Sequence, residues 1–464
     1  MNETKLPDKY KQMAEAPLFG LITRLAIPGI ITNLITTIYN AADTYFVSSL
    51  GTSATGAVGI SFALMTIIQA SGMFAGHGAG NFISRELGAG KYENAARMAA
   101  TGFFSAMIMA FVLVSLPGLF FLEQLATLFG ATPTIMPYAC DYMFYISIGA
   151  PFMAGGLMMN NLLRFQGSAF LGMVGMIAGA LLNVILDPIF IFRFNMGIGG
   201  AALATILSQI ATFCVLLYGC TREGNISIKL SNFTPRLSLF KEMLRGGLPS
   251  LCRQSIGGIS SIYVNHTAGV FGDAAIAATS IVQRVIMFCA MALIGYGQGF
   301  QPICGFNYGA KNYDRVKKAF YLAIKITTVA LIIFAGTEFI FARQIIMWFN
   351  SYDSDVIDIG TQMLRLQCLT FPLMSCVVLV SMLLQTIGSV VRASIMSLAW
   401  QGLFLIPCVF LFVRLFALSG YVFAVPAATI LSFLFALPLA MATFRDMSKK
   451  KAESDKAELQ TEAK

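Results

Sequence analysis

Charged residues are scarce in this 464-residue chain, where they make up 11% against 57% hydrophobic residues. A typical soluble domain carries about 25% charged residues, so this chain has too few to cover a water-facing surface. The shortage excludes a soluble enzyme, a disordered protein and a nucleic-acid-binding protein, although the net charge is +9. Together with a mean hydropathy of +0.75, it indicates a polytopic membrane protein.

Motifs for metal, nucleotide and phosphate chemistry are also missing. The chain has two His residues, and its nine Cys residues form no CxxC pair. The segment GAGKY (Gly88 to Tyr92) lacks the spacing and the hydroxyl residue of a nucleotide-binding loop, and no DDxxD-like acid cluster is present. We therefore expect no cofactor and no enzymatic activity. We also expect no cleaved signal sequence, because the first seventeen residues are polar and the apolar run behind them is too long for a signal-peptide core.

Long apolar runs are abundant. A bilayer core about 30 Å thick requires about 20 apolar residues in a helix. Twelve runs of that length indicate an all-α protein with twelve spans, six in each half of the chain. They lie at roughly 18–49, 53–83, 95–121, 137–163, 168–192, 197–220, 246–270, 273–304, 316–343, 358–385, 390–414 and 418–444.

The spans predict five segments. These are an N-terminal segment (1–17), a first lobe (18–221), a linker (222–235), a second lobe (236–444) and a charged tail (445–464). The tail, RDMSKKKAESDKAELQTEAK, is expected to be disordered or loosely helical because of its charge.

The second half repeats the first. The loop LGAGKYENA after the second span is echoed by YGAKNYDRV after the eighth. Four residue pairs keep one constant separation, namely Pro28 with Pro249, Gly51 with Gly272, Pro151 with Pro372, and Gly167 with Gly388. Because six spans return the chain to its starting side, the halves are parallel repeats about an axis along the membrane normal.

The distribution of basic residues predicts the orientation. Nearly all Lys and Arg residues outside the spans lie in the termini and in alternate loops on one side. The other loops contain only Arg193, Arg343 and Arg414. By the positive-inside rule both termini are cytoplasmic, and the plasma (inner) membrane is the expected location.

Two acids lie well inside the spans of the first half, Asp43 and Asp187. Placing an Asp at a helix centre costs roughly 2.5–3.5 kcal/mol on insertion scales, so each needs a reason to be there. Asp43 lies about 12 Å, and Asp187 about 9 Å, below the outer end of its span at 1.5 Å per residue. The two carboxylates are thus predicted to lie at nearly the same depth.

Further oxygen atoms are predicted at that depth. Asn183 is one helical turn before Asp187, and Ala201 and Thr205 of the sixth span lie at matching depth. Carboxylate, amide, hydroxyl and carbonyl oxygens suit a small hard cation such as Na⁺. The same pair of acids could instead share a proton. The simpler alternative is two Asp side chains that only hydrogen-bond to neighbouring backbone.

The second half lacks this pair of acids, since Val264 and Ile406 stand at the equivalent positions. It carries Arg253, Arg284 and Lys325 instead. Arg284 is too deep to reach the membrane surface. It is interpreted either as a structural hydrogen-bond anchor or as a residue that lines a cavity.

At these residues the sequence resembles the multidrug and toxic compound extrusion (MATE) family. The similarity is carried by AIP (Ala26 to Pro28), YNAADTYFVSSLG (Tyr39 to Gly51), LGAGKYENA, NVILDPIFIF (Asn183 to Phe192) and GIGGAALATILSQ (Gly197 to Gln209). The resemblance implies a V-shaped pair of six-helix lobes and a secondary transporter that exports organic, often cationic or amphipathic, compounds in exchange for H⁺ or Na⁺. Such multidrug efflux would confer antibiotic resistance.

The resemblance also implies site residues. The cation ligands would be Asp43, Asn183, Asp187, the Ala201 carbonyl and Thr205. The substrate cavity would include Tyr39, Asn160 and Met176, with Arg284 as a further candidate. The expected partners are small organic molecules and the lipid bilayer, and we expect a monomer. The alternative is a flippase for lipid-linked saccharides from the same superfamily, for which the cationic Arg284 argues.

Overall fold

The structure, a computed structural model, describes residues 8–462, and these are almost entirely helical. A short helix (Asp8–Glu15) precedes the first membrane span. We number the twelve long helices α1 to α12 in chain order. They are Leu18–Ser48, Thr52–Gly88, Tyr92–Phe120, Met136–Phe165, Ala169–Arg193, Gly197–Thr221, Leu237–Gly269, Asp273–Gly309, Tyr313–Ile340, Ser354–Thr386, 390–416 and 418–462.

The prediction of an all-α protein with twelve spans in two lobes is confirmed. Ten helical segments within residues 8–462 are long and apolar enough to cross a membrane. One of these ten segments, Val390–Lys456, contains both α11 and α12, because the chain turns back at Ala417 (φ 49°, ψ −128°). The remaining helix, α7, is more polar than the others.

Two helix ends differ from the predicted spans. α7 begins at Leu237 rather than near 246, because its first turns form a polar, amphipathic extension of the span. α12 continues to Glu462, although the tail from 445 was expected to be disordered or loosely helical. Residues with high helix propensity fill this stretch, and contacts with the second lobe fix it. One is the Lys451–Asp314 ion pair, at 2.5 Å.

The duplication is visible in the turns. Gly51 and Gly272, which are equivalent in the two halves, both adopt a positive φ, 107° and 96°, at the tight turns before α2 and α8. Gly167 and Gly388 repeat this after α4 and α10, with φ values of 85° and 82°. These values are readily adopted only by glycine, which explains why the residues recur in both halves.

The two lobes are α1–α6 and α7–α12, and the apolar core shows how they meet. One cluster of buried residues draws on both lobes and lies on the side where the described part of the chain begins and ends, which we call the basic side. On the opposite side each lobe has a separate core, one within residues 47–202 and one within residues 264–428. The molecule is therefore a V whose lobes join at the basic side and part toward the other.

Small residues allow the lobes to join closely. α1 packs against α8, and α2 against both α7 and α8. A Cβ atom at Gly246 would lie 2.9 Å from Gly78 Cα, and one at Gly295 would lie 2.7 Å from Ile30 Cα. Gly88 and Gly309, equivalent in the repeat, each meet a backbone carbonyl of the other lobe. Within residues 8–462, the hydrogen bonds between the lobes lie at the middle of the helices or nearer the basic side.

Candidate functional site

A polar cluster lies inside the first lobe, in the half of the membrane away from the basic side. α5 packs between α1 and α6, which brings Asp43 of α1, Asn183 and Asp187 of α5, and Thr205 of α6 into one neighbourhood. Asn183 Nδ2 donates to Asp187 Oδ1 at 3.2 Å and to Thr205 Oγ1 at 3.5 Å. Four of the five predicted cation ligands therefore occupy one cluster, and Ala201 lies one turn before Thr205 in α6.

The cluster is closed to solvent on the α5–α6 side. Asp187 and Ala201 are fully buried, and Asn183 and Thr205 are nearly so. Asp43 is half-buried on the part of α1 away from the basic side, which faces the space between the lobes, and it lies within range of the Asp187 charge. An ion could therefore approach the buried carboxylate from the cleft by way of Asp43.

Several oxygen atoms of the cluster lack a hydrogen-bond donor. Asp43 Oδ1, Asn183 Oδ1 and Asp187 Oδ2 are buried and accept no hydrogen bond from the described residues. A buried oxygen atom that accepts no hydrogen bond is costly, so a proton or a cation bound between these atoms would stabilise the cluster. The alternative in which both Asp side chains are satisfied by neighbouring backbone has no support in these contacts.

Local backbone geometry places Asp187 where α5 changes its winding. Pro188 cannot donate a backbone hydrogen bond, and the next residues, Ile189–Arg193, form a π-helical turn. Such turns occur often at functional sites because they leave backbone groups free to adjust. The second lobe has a π-helical segment near the equivalent position, Ala399–Leu405, but no acid beside it.

The predicted cavity residues differ in their positions. Tyr39 is half-buried on α1, one turn before Asp43, and lies within range of both carboxylates. Asn160 is half-buried, with its amide against Gly172 at the α4–α5 contact, and Met176 is half-buried on α5. The structure therefore brings Tyr39 to the polar cluster and leaves Asn160 nearer the basic side.

Arg284 is exposed and has no ion pair or hydrogen bond among the described residues. Of its two interpretations, the structural anchor is therefore not supported. It lies three turns before Gly295, which faces α1 of the other lobe, so Arg284 is on the same face of α8. At that level the lobes have separated, and Arg284 faces the cleft.

Sequence reasoning missed three residues. Tyr142 of α4 is fully buried and lies within range of Tyr39, Asp43 and Asp187, which places it in the polar cluster. Asp141 and Glu338 are further acids inside membrane helices, so the count of intramembrane acids was incomplete. Asp141 meets the start of α6 at Gly199, and Glu338 accepts from the thiol of Cys289 at 3.1 Å.

The comparisons with known proteins agree with this architecture. The MatE family model matches residues 28–189 and again 249–411, once in each lobe. The chain belongs to the MatE family. This confirms the resemblance seen in the sequence, and MatE proteins are secondary transporters, not enzymes.

Relatives of known name cover nearly the whole chain. "Multidrug export protein MepA" of Staphylococcus saprophyticus is 27% identical over 449 residues, which cover 96% of this chain and 97% of that protein. MepA of Staphylococcus haemolyticus is 26% identical and covers 90% of this chain and 93% of its own. As a MatE protein of this span content, the chain is a multi-pass membrane transporter.

Solved structures of transporters also resemble this chain over nearly its whole length. One, described as the outward-facing conformation of a multidrug resistance MATE family transporter, has a TM-score of 0.88 at 25% identity and covers 97% of this chain and all of its own. Another, a transporter from Pyrococcus furiosus described as having reversed polarity of the binding pocket, has a TM-score of 0.88 at 26% identity. It covers 96% of this chain and 99% of its own. The V shape derived from the core clusters matches the MatE fold.

Proposed function

We propose that this MatE protein exports organic amphipathic compounds, expected to be cationic, in exchange for a cation that enters through the first lobe. Its MepA relatives are named for multidrug export, and similar multidrug efflux with a role in antibiotic resistance is proposed here. The observation that carries the exchange mechanism is the group of buried oxygen atoms without donors on Asp43, Asn183 and Asp187.

Both Na⁺ and H⁺ are compatible with this group of oxygens. A proton held between two oxygens would satisfy the two carboxylates, but it leaves the Asn183 amide oxygen without a donor. A Na⁺ ion can bind the amide oxygen together with the carboxylates and Thr205, since hard cations take several oxygen ligands. The amide oxygen therefore favours Na⁺, and transport assays decide between the two ions.

Alternating access follows from the V shape. We take the described state as the one in which the cleft opens away from the basic side, with the basic side and both termini in the cytoplasm. A cation that enters this cleft binds Asp43 and Asp187 and stabilises this state, and cargo that binds from the cytoplasm favours the opposite state. The coupling is limited by the difference in the cation's affinity for the two states.

The choice of ion also sets the driving force. Export of a monovalent cationic compound against 100 mV costs about 2.3 kcal/mol. Exchange for one incoming monovalent cation cancels this electrical cost and leaves the concentration gradient of that cation as the driving force.

The test uses the full chain in liposomes with a fluorescent cationic dye. A Na⁺ gradient and a pH gradient are imposed separately, with the membrane potential clamped. Dye movement with the Na⁺ gradient alone assigns the cluster to Na⁺, and movement with the pH gradient alone assigns it to H⁺. If neither gradient moves the dye, the exchange proposal is wrong, and a fluorescent lipid tests the flippase alternative.

Removal of either carboxylate tests the site itself. Asp43→Asn and Asp187→Asn keep the side-chain shape but remove the charge that binds the cation, so both are expected to abolish gradient-driven dye movement. Asp358→Asn, which removes an exposed acid paired with Arg343 on the same side of the membrane, is the matched control and is expected to transport normally. Transport at the wild-type rate in either cluster variant would contradict the two-carboxylate mechanism.

A further inference from the structure

Three basic side chains meet where the lobes come together, at the floor of the cleft. Arg164 Nη2 lies 3.4 Å from His77 Nε2, and Arg164 also donates to Asn161 Oδ1. Arg253, from the other lobe, lies within electrostatic range of both Arg164 and His77. We call His77, Arg164 and Arg253 the cleft-floor cluster.

The cleft-floor cluster has no acid partner among residues 8–462. Arg164 is paired with the neutral groups of Asn161 and His77, and Arg253 adds a second positive charge nearby. Arg164 is only 7% exposed, and its Nε atom has no hydrogen-bond partner in the part of the chain that the structure describes. Buried guanidinium groups are normally paired with an acid, because an uncompensated buried charge is strongly destabilising. The cluster therefore lacks a negatively charged partner.

The cluster borders the cleft on the side of the second lobe. Gly246 of α7 contacts Gly78 of the first lobe, and Arg253 is seven residues, or two turns, further from the basic side on the same helix face. Arg253 is half-buried, so part of it remains accessible. Arg284 faces the same cleft further from the basic side. The second lobe therefore presents two cationic side chains, Arg253 and Arg284, to the cleft.

The fold does not require these charges. At the equivalent positions of the repeat, Arg164 is replaced by Gln385 and Arg253 by Thr32. Gln385 is buried and bonded to Gly246 O and Ser250 Oγ, so the position is compatible with an uncharged side chain. The basic groups are specific to one half each, as the Asp pair is, and this favours a binding role over a structural one.

We propose that the cleft-floor cluster binds an anionic oxygen group, a carboxylate or a phosphate, carried at one end of an amphiphilic cargo. The two guanidinium groups come from opposite lobes, so an anion between them replaces a repulsion by two attractions across the interface. The inference rests on the proposed export function and narrows its cargo to amphipathic compounds that carry an acidic group at one end, in addition to the cationic group expected above.

Binding of two dyes that differ in one group tests the proposal. Rhodamine B carries a carboxylate and its ethyl ester does not, while both carry the same delocalised cation. Fluorescence anisotropy measures their affinities for the purified full chain in phosphatidylcholine nanodiscs. Wild type is expected to bind the acid more tightly than the ester. Arg253→Gln is expected to weaken binding of the acid about tenfold, as for a lost charge-assisted hydrogen bond, and to leave the ester unchanged.

Two controls separate charge from packing. Arg253→Lys keeps the charge and is expected to retain most of the preference for the acid. Arg365→Gln removes an exposed arginine of α10 and is expected to behave as wild type. Equal affinity of wild type for acid and ester, or an unchanged preference in Arg253→Gln, would overturn the proposal.

The source of the anion is distinguished by competition. If phosphatidylglycerol in the nanodisc weakens binding of the acid to wild type but not to Arg253→Gln, a lipid phosphate also occupies the cluster. If sodium phosphate in the buffer does so, a free anion occupies it. Either result supports the anion site, and insensitivity to both assigns the site to the cargo alone. Because binding needs no ion gradient, a failure of exchange in liposomes would leave this result intact.

Discussion

At the residue scale, depth in the membrane is the information from which the sequence predicts the polar cluster around Asp43 and Asp187. Asp43 and Asp187 were paired because they lie at similar distances from the ends of their helices, and the structure brings them within range of each other. The same reasoning would have found Tyr142, which lies five residues, about 8 Å, inside its predicted span. Intramembrane charge does not single out Tyr142, because tyrosine is uncharged and costs little to place in a membrane.

Other residue-level features could not be obtained from the sequence. The hydrogen bonds that Asn183 donates to both Asp187 and Thr205 depend on how α5 packs against α6. The exposure of Arg284 depends on where the two lobes separate, which no local pattern encodes. Helical spacing assigns a residue to a face of its helix but does not show what that face meets.

Thr205→Val tests whether the hydroxyl binds the ion. Valine has nearly the same shape but no oxygen, so a Na⁺ site that uses Thr205 loses one ligand. We expect the Na⁺ concentration for half-maximal dye movement to rise about tenfold, the effect of one charge-assisted contact. Thr205→Ser, which keeps the oxygen, should match wild type. An unchanged Na⁺ dependence in Thr205→Val would exclude the hydroxyl as a ligand.

At the element scale, the sequence predicted the helices well and their extensions poorly. Twelve apolar runs gave twelve helices because the thickness of the bilayer sets the length of a span. The polar turns at the start of α7 and at the end of α12 lie outside the membrane, where hydropathy gives no signal. Contacts with the rest of the protein hold them, for example the Arg392–Asp446 ion pair at 2.8 Å.

The extension of α12 offers a comparison of apolar and ionic contacts. Met447 is 1% exposed within the shared core, whereas the Lys451–Asp314 pair is about half exposed. Met447→Ala should destabilise the docked helix by about 2–5 kcal/mol through lost burial and a cavity. Lys451→Ala should cost at most about 1 kcal/mol, as is usual for an exposed ion pair.

Hydrogen exchange of the backbone amides over residues 440–456 measures the difference. Exchange should accelerate strongly in Met447→Ala and only slightly in Lys451→Ala. The reverse order would mean that the charged residues, and not the buried methionine, hold the extension against the second lobe.

At the scale of the whole molecule, the sequence predicts the duplication but only part of the shape. Equivalent residues such as Gly88 and Gly309 revealed the repeat, and an even number of spans required parallel lobes. The sequence did not indicate on which side the lobes join. Small residues let helices approach closely on that side, but which glycines face the other lobe becomes visible only in the packed structure.

An ion pair between Arg85 and Glu242 joins the lobes at the basic side. Arg85 of α2 donates to Glu242 of α7 at 3.3 Å and to the Thr386 carbonyl at 2.7 Å, so it bonds to two elements of the opposite lobe. Both side chains of the pair are largely buried, with 16% and 25% exposure, so it is less screened by solvent than a surface pair. Arg85 is therefore expected to stabilise the state that is closed at the basic side.

Arg85→Gln should shift the equilibrium toward the state that is open at the basic side. Cys304, fully buried in the core that both lobes share and within range of Arg85, serves as a native reporter, because parting of the lobes is expected to expose it to a thiol reagent. We expect Cys304 to be modified about tenfold faster in Arg85→Gln, the effect of losing about 1.4 kcal/mol of interaction. Mass spectrometry of the peptide that contains Cys304 distinguishes it from the other eight cysteines.

Arg97→Gln, which removes an arginine paired with Glu93 of its own helix, should leave the rate unchanged. Equal rates in wild type and Arg85→Gln would show that glycine packing alone keeps the basic side closed.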